Sequence, residues 1–452
     1  MGPLLESIKR VKLTELNYSS LFDIIIPFIA KGINYQKHIP EIVNEQEYAR
    51  NILLMDPLEV VLIKWPRGVE SAIHFHEGFW GYVGVLEGMA SNTEYYFDNH
   101  ELRQKRAVLI KRGGLIPEPD GVIHKLANNS QYEPLVTLHF YFPPLKNLDG
   151  LKLYGTDGTV SVLNERAPSA TLGLSADCYR SFKRNNFIFD DGTHGKTHLI
   201  SPILPKPTAD EIKGMVSGYY TDQAHHYDSA DLDNELRYKY VQAVNRRLID
   251  EFRRNRPSRV LALACGTGRR AAKIKELSGL GYKLFGVDIS KEMCELARQK
   301  GIEAHCSDWL TIDFPDNYFD AITMLYSFGH IPTAAERLLF VEKVYDKLNH
   351  GGAFYFDVFN IGDKYEWGQN ALDVFDEYNL DWFGYEKGDV FYRRTLGEKI
   401  AFLHYFDAEK SVALLKSIGF KVERVEYIGY MNRSGEILND KNGKIFIKAV
   451  KP

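Results

Sequence analysis

His74-Phe75-His76 and, farther on, Gly113-x5-Pro119-x-Gly121-x2-His124-x3-Asn128 decide how the first half of this chain reads. Two histidines at i and i+2 of a strand point to one face, and a third from a neighbouring strand completes a facial set. Three neutral imidazoles favour Fe, Ni, Cu or Zn over the hard cations, and three protein ligands leave positions open for other molecules. A lone His-x-His is more often a pair of half-buried strand residues. The glycine, proline, glycine, histidine and asparagine of the second string tip the reading toward metal.

The text around these histidines is strand-like from Glu59 to Phe142. Short apolar runs such as Val60–Ile63, Tyr82–Leu86, Tyr95–Phe97, Ala107–Ile110 and Leu135–Tyr141 are separated by turn residues, as in an all-β barrel or sandwich. Residues 13–30 read as helix. From 165 to 207 the mixture of Pro, Ser, Gly, Asn and Asp reads as connection and exposed loop. Beyond 208 strands alternate with helices: helix Tyr238–Phe252, strand Arg259–Leu263, a glycine turn, a helix through Leu277 and a strand ending at Asp288. Helix 291–300, a strand before Asp308, strand Phe319–Leu325, helix Glu336–Leu348 and strand Ala353–Val358 follow. A helix over 409–418 and strands over 420–428 and 444–449 close the pattern, which is that of a doubly wound parallel α/β sheet. The expected organisation is an all-β module with N-terminal helices over 1–165, a linker or extension over 166–207 and an α/β module over 208–452.

Bulk properties narrow the function classes. With 452 residues, 44% of them hydrophobic and 26% charged, the chain can fill more than one core. A net charge of −4 gives no reason to expect a nucleic acid or a membrane surface as partner. The longest apolar stretch, Leu21–Ala30, is too short to span a bilayer, and no export signal is legible at the N-terminus. Cys178, Cys265, Cys294 and Cys306 have neither CxxC nor zinc spacing, so a reducing, cytoplasmic setting is expected. A homodimer is left open.

The region Tyr48–Pro144 resembles the thiol dioxygenases of the cupin superfamily, cysteine dioxygenase in particular. The matching text is Tyr48-Ala49-Arg50-Asn51, Trp65, His74-x-His76, His124 and Thr137-Leu138-His139-Phe140-Tyr141-Phe142-Pro143-Pro144. The resemblance implies Fe(II) on His74, His76 and His124, with a thiol substrate and O2 at the remaining positions. It puts the Arg50 guanidinium on a substrate carboxylate, a task suited to a planar bidentate donor, with Tyr48 and Trp65 nearby. Thr137, His139 and Tyr141 alternate along one strand and are expected to form a hydrogen-bonded relay ending at the substrate. Gly81 stands where animal members carry a cysteine cross-linked to the tyrosine, so no thioether is expected. The cupin glutamate ligand finds no counterpart, since Glu77 directly follows a ligand and Glu87 sits in a Leu-Glu-Gly turn. The expected ligand set is three histidines without a carboxylate.

In the second half, a strand running into Ala264-Cys265-Gly266-Thr267-Gly268 and then a helix brings backbone amides close to a ligand. Asp288, at the end of the next strand, is placed for ribose hydroxyls; Asp308 and Trp309, after the third, suit an adenine amine and ring face. The stretch 219–358 resembles class I S-adenosylmethionine-dependent methyltransferases. That resemblance puts Gly266 and Gly268 on the methionine portion, Asp288 on the ribose and Asp308 with Trp309 on the adenine. Tyr220 through Asp228, including Tyr227, matches the helix that caps the cofactor. Ala262 and Arg269-Arg270 depart from the family pattern at a supporting aspartate and at a third glycine. A nicotinamide dehydrogenase is the weaker reading, since its turn is normally Gly-x-Gly-x-x-Gly. His330 is a candidate general base, and the aromatic insertion 362–406 reads as a β-flap over an acceptor pocket or as a hydrophobic contact face.

The combined expectation is a bifunctional enzyme acting on small molecules. One half oxidises a thiol, cysteine first, to a sulfinate; the other methylates a small acceptor from S-adenosylmethionine. Fusion suggests one pathway, with a sulfinate, its decarboxylated descendant or a related amino acid as acceptor. Alternatives are 3-mercaptopropionate or another thiol as substrate, or a cupin that senses a ligand and regulates the methyltransferase without catalysis.

Overall fold

The computed structural model describes residues 1–130, 132–190, 199–200, 202–224, 227–228, 235–393 and 399–452. The chain forms two compact units. One comprises Met1–Pro207 with Glu377–Gly384 and Tyr392–Glu398; the other comprises Thr208–Asp376, Tyr385–Phe391 and Lys399–Pro452.

The first unit opens with α1 (Gly2–Lys9) and α2 (Tyr18–Lys31). A capping box starts α2: the Asn17 side chain accepts from the Ser20 amide, and the Ser20 hydroxyl accepts from the Asn17 amide. Its apolar stripe, Leu21, Phe22, Ile25, Ile26 and Ile29, is buried. The strands that follow are β1 (Ala49–Leu54), β2 (Glu59–Trp65), β3 (Ile73–Phe75), β4 (Trp80–Glu87), β5 (Met89–Asp98), β6 (Glu101–Lys111), β7 (Leu115–Glu118), β8 (Ile123–Asn128) and β9 (Leu135–Phe142). After them come β10 (Lys152–Tyr154), β11 (Val160–Leu163), β12 (Tyr179–Lys183), β13 (Ile188–Asp190), β14 (Leu199–Ile200) and β15 (Ile203–Leu204). One sheet has the order β1-β2-β9-β4-β7, and a larger one the order β12-β11-β10-β3-β8-β5-β6-β13, with β15 also on β6.

The stretch 166–207 is therefore more than connection, contrary to the reading from sequence. β12 extends the larger sheet antiparallel to β11, while β13 and β15 add parallel to β6. Strands of two to five residues show no periodicity of their own. Backbone hydrogen bonds to an existing edge recruit them.

The second unit begins with α3 (Ala209–Gln223), capped by Thr208 and Glu211 in a reciprocal box, and α4 (Glu235–Asn255). Then follow β16 (Arg259–Leu263), α5 (Arg269–Ser278), β17 (Lys283–Asp288), α6 (Lys291–Gln299), β18 (Glu303–Cys306), β19 (Phe319–Met324), α7 (Ala334–Lys347) and β20 (Leu348–Val358). α8 (Gly368–Glu377), β21 (Asp389–Arg393), β22 (Ala401–His404), α9 (Ala408–Ile418), β23 (Lys421–Ile428) and β24 (Lys444–Val450) complete it. The main sheet has the order β18-β17-β16-β19-β20-β24-β23, parallel from β18 to β20, with β24 antiparallel to both neighbours.

Burial explains the strand sequences. Leu261, Leu263, Ile322 and Phe354 enter one apolar cluster, and Val260, Ala321, Ala353 and Tyr355 the one on the opposite face. A sheet covered on both faces selects near-continuous apolar runs. The strand order reverses between β16 and β19, which opens a crevice at their C-terminal ends.

Two expectations change here. The insertion 362–406 is not a simple β-flap, because Ala371, Val374 and Phe375 lie at helical spacing and are buried on α8. Gly268 adopts a left-handed φ of 73° as it caps α5. A Cβ there would stand 2.5 Å from Ile302 Cδ1 and 3.0 Å from Ala297 Cβ. Gly268→Ala is expected to cost roughly 1–3 kcal/mol, read as a lower urea midpoint; an unchanged midpoint would show that the turn tolerates a side chain.

Candidate functional site

In the first unit, β3 and β8 lie side by side with His74 opposite His124. Their Nε2 atoms are 3.1 Å apart, and the Nε2 of His76 lies 3.3 Å from that of His74 and 3.0 Å from that of His124. All three rings are buried. The far side of two rings is tied down: His74 Nδ1 donates to the Ala72 carbonyl at 2.9 Å, and His124 Nδ1 to Asn92 Oδ1 at 2.7 Å. Those bonds place the protons on Nδ1 and leave bare lone pairs on the converging Nε2 atoms. Burial holds His74 down to about 4 and the other two well below the ordinary histidine value, so the rings are neutral. The bare lone pairs of His74 and His124 face each other at 3.1 Å, a contact that an electrophile between them relieves. Donors about 2.1 Å from one ion and at right angles are about 3.0 Å apart, so the three residues fit a single transition-metal ion.

Local sequence accounts for this geometry. Gly121 takes a φ of 84° in the turn between β7 and β8 and donates its amide to the His76 carbonyl at 2.8 Å. The Asn128 side chain donates to the carbonyls of Trp65, Pro66 and Glu133, holding the loop ahead of β3 against the end of β8. These are the physical jobs of the glycine and the asparagine in the quoted string.

The facing sheet supplies the relay. Trp65 Nε1 donates to Thr137 Oγ1 at 2.8 Å; Thr137 Oγ1 lies 2.8 Å from His139 Nε2, and His139 Nδ1 2.7 Å from the Tyr141 hydroxyl. The tryptophan can only donate. The direction that uses every donor runs from it through the threonine hydroxyl to His139 Nε2, then from His139 Nδ1–H to the Tyr141 oxygen. Burial, followed by the Arg50 charge, holds His139 to about 3, and burial pushes the Tyr141 phenol well up. The Tyr141 and His76 ring centres are 6.1 Å apart. Tyr48 packs on Trp65 with ring centres 4.4 Å apart and accepts the Ala170 amide.

Arg50 is held in place by an ion pair through one of its guanidinium nitrogens. It pairs with fully buried Glu59 at 3.3 Å, and Glu59 also accepts the Leu145 and Lys146 amides. Glu118, at the end of β7, was missed by the sequence reading. It is 1% exposed, the Tyr141 hydroxyl is its near polar neighbour, and its Oε1 lies 3.6 Å from His124 Nε2. Burial pushes its carboxyl up to about 8, although the Tyr141 hydroxyl faces it closely enough to oppose the rise. A carboxylate thus stands beside one ring of the cluster, while the three histidines alone form the group whose donor atoms lie within 4.8 Å of one another. The residue lies between two prolines of the quoted string, but only tertiary placement distinguishes it from a surface turn glutamate. Asn92, which orients His124, carried no sequence signal.

In the second unit a crevice at the strand ends is lined by Tyr220, Tyr227, Gly266, Asp288, Asp308 and Trp309, among others. Asp288 Oδ2 accepts the Gly266 amide at 2.8 Å and Oδ1 the Ser290 amide at 3.0 Å, and the Ile289 amide also faces the carboxylate. Asp308 pairs with Lys213 of α3 at 2.9 Å, a lysine the sequence reading did not single out. The Trp309 indole donates to the Phe340 carbonyl at 3.2 Å. Gly268 is the N-cap of α5, the helix that follows the glycine turn. His330 also lines the crevice, but its Nδ1 donates to the Phe402 carbonyl and its Nε2 lies 2.9 Å from the Tyr220 hydroxyl. Burial holds it to about 4, and the tyrosine proton occupies the lone pair a base would need. His225 and His226 of the expected capping helix lie outside the described residues. No helix among the described residues is long and apolar enough to cross a membrane.

Comparison with known proteins bears on both units. The family model for cysteine dioxygenase type I matches residues 34–152, and a methyltransferase-domain model matches residues 260–352. An uncharacterized methyltransferase of Bacillus cytotoxicus is 30% identical over 143 residues, covering 31% of this chain and 65% of that protein. An uncharacterized methyltransferase of Bacillus cereus is 28% identical over 155 residues, covering 33% of this chain and 71% of that protein. The chain thus spans about two thirds of the length of these relatives. A solved S-adenosylmethionine-dependent methyltransferase from Methanosarcina mazei aligns at 22% identity over 43% of this chain and 92% of its own, with a TM-score of 0.35. The polypeptide joins a cysteine-dioxygenase-type cupin domain to a Rossmann-like methyltransferase domain.

Proposed function

We propose that the first unit is an Fe(II)-dependent thiol dioxygenase acting on a small thiol, L-cysteine first, and that the second transfers a methyl group from S-adenosylmethionine to a small acceptor. The observation that carries the first half is the convergence of the Nε2 atoms of three neutral, buried histidines, faced by the Trp65–Thr137–His139–Tyr141 relay. The net reaction is RSH + O2 → RSO2H, which balances without an external reductant. Bound iron would supply a site where a thiolate sulfur and dioxygen meet. The protein's own residues do the rest. His139 donates to the Tyr141 oxygen, which frees the phenolic proton to point at the reacting atoms. Arg50 provides positive charge beside the relay for a substrate carboxylate, and Glu59 fixes its position. Burial excludes water and preserves these hydrogen bonds.

For the second unit, the crevice fits a nucleoside cofactor. Asp288 lines it for ribose hydroxyls, the Asp308 and Trp309 pair lies at the next strand end, and α3 closes one side with Tyr220. Methyl transfer moves the sulfonium methyl to a nucleophilic N, O or S, with loss of a proton and release of S-adenosylhomocysteine.

Anaerobic reconstitution with Fe(II), followed by O2 uptake with cysteine, 3-mercaptopropionate and cysteamine, tests the first half. Cysteine is expected to yield its sulfinate, and His124→Ala to abolish both iron retention and uptake. Equal inertness of all three thiols toward the iron-loaded protein would remove the claim. In calorimetric titration with S-adenosylmethionine, Asp288→Ala is expected to weaken binding about ten- to a hundredfold, the worth of hydrogen bonds to a charged group. Unaltered affinity would place the cofactor elsewhere.

The neutral relay also sets a pH dependence. His139 titrates at about 3 in the folded chain against about 6.5 unfolded, so the unfolded state binds its proton first. The stability this neutral ring contributes is complete above pH 6.5 and drains away as pH falls toward 3. His139→Gln is expected to flatten the fall of the urea midpoint between pH 6.5 and 4; an equally steep fall in the variant would contradict the assignment.

A further inference from the structure

A second cavity of the second unit adjoins the crevice, and Leu263, Gly266 and Ser327 border both. Its polar wall is cationic, with Arg237, Arg269 and Arg270. Asp228 is the acid of this wall among the described residues, and it is already committed. It pairs with Arg269 and with Lys300, each at 3.4 Å, and accepts the Thr267 hydroxyl at 2.6 Å. Arg270, in the first turn of α5, is placed differently. Its Nε donates to Asn245 Oδ1 at 2.7 Å, while its Nη2 is buried without a hydrogen-bond partner among the described residues. A guanidinium nitrogen can only donate, so burying one unpaired is costly until an acceptor arrives.

Tyr326, two residues past β19, also lines this cavity. Although not a glycine it takes a φ of 69°, and its amide donates to Asp357. Residues held in the left-handed region cluster at ligand clamps. The Tyr326 ring carries two cations, with the Arg237 guanidinium 4.8 Å and Lys444 Nζ 3.4 Å from its centre. Lys444 opens β24, is 1% exposed and has no hydrogen-bond partner among the described residues. Burial pulls its ammonium down to about 7; Asp357 and Glu366 favour the charge, and Arg270 and Arg237 oppose it. Two buried cationic groups thus await an anion at the C-terminal ends of the strands.

We propose that this cavity binds the methyl acceptor through an anionic group, a carboxylate or a sulfinate, taken by Arg270 with Arg237 alongside. The inference rests on reading the adjoining crevice as the S-adenosylmethionine site. Both anions present two oxygens to the edge of a guanidinium, which favours arginine over lysine as the direct contact. S-adenosylmethionine does not cure the excess of charge, because its sulfonium and ammonium outweigh its one carboxylate. An acceptor anion pairs the buried Nη2, offsets Lys444 and opposes the positive cofactor across the shared wall. A neutral or cationic amine does none of these. The first unit's proposed product, a sulfinate, belongs to the favoured class.

Full-length wild type and Arg270→Met are titrated calorimetrically with S-adenosylhomocysteine, alone and with excess L-cysteine sulfinate or cysteamine. In the wild type the sulfinate is expected to tighten binding about tenfold, since ligands that meet in one site strengthen each other reciprocally. Cysteamine, which keeps the amine and lacks the anion, is expected to change nothing, and Arg270→Met to lose the sulfinate effect. No tightening in the wild type, equal tightening by cysteamine, or tightening that survives in Arg270→Met overturns the proposal; the last result places the sulfinate elsewhere in the chain. 5′-Methylthioadenosine, which lacks the amino-acid portion, separates the other source of a carboxylate. Should Arg270→Met bind S-adenosylhomocysteine tenfold more weakly yet keep its affinity for 5′-methylthioadenosine, the guanidinium serves the cofactor's own carboxylate, which also overturns the proposal. Circular dichroism checks the fold; if the variant does not fold, the wild-type contrast between sulfinate and cysteamine decides. The crevice reading fails separately, if wild type binds neither nucleoside.

Discussion

Three imidazole nitrogens held about 3 Å apart are the arrangement on which the first unit turns. Neutral rings do not settle into such a contact unaided. The Ala72 carbonyl and the Asn92 side chain hold two of them from behind, and burial keeps them unprotonated. The strain of that contact is the affinity for a cation seen from the protein's side. Neutral donors behind a low-dielectric wall make a cavity that a dication stabilises and water does not.

The facing sheet acts by a different means. Its relay is made of residues two apart on one strand, so the pleat itself aligns Thr137, His139 and Tyr141, and Trp65 terminates the line from the neighbouring strand. Partly buried Arg50 pairs with fully buried Glu59 beside it. An ion pair so enclosed fixes a geometry more than it adds stability. In this site that means a positive charge whose position does not depend on the substrate. The second unit uses backbone instead: the glycine turn at Gly266 donates to Asp288, and the strand-order reversal leaves a crevice that α3 borders.

Much of this was legible in the residues. The strand that carries the relay, the three histidines, the strand-end acids Asp288 and Asp308 and the alternation of strands and helices after 208 all follow from period and spacing, since each is a local property. The short strands between 166 and 207 were not legible, because two to five residues paired to an existing edge need no pattern of their own. The helix at Gly368–Glu377 was obscured by aromatic residues that suggest strand until their buried spacing is seen. Gly268 was assigned to cofactor contact on motif grounds, whereas close approach of Ala297 and Ile302 explains its need for a bare Cα.

The sequence by itself determined the chemistry available: which donors exist, at what spacing along each strand, and that one half of the chain is β and the other α/β. Only the tertiary structure decided which of those groups meet. Arg50 finds Glu59, His330 loses its lone pair to Tyr220, and Glu118 comes to rest against His124. The physical reason is that pairing across sheets depends on register and sheet order. Those are set by how whole faces bury their apolar surface, a sum over distant residues that no local window contains.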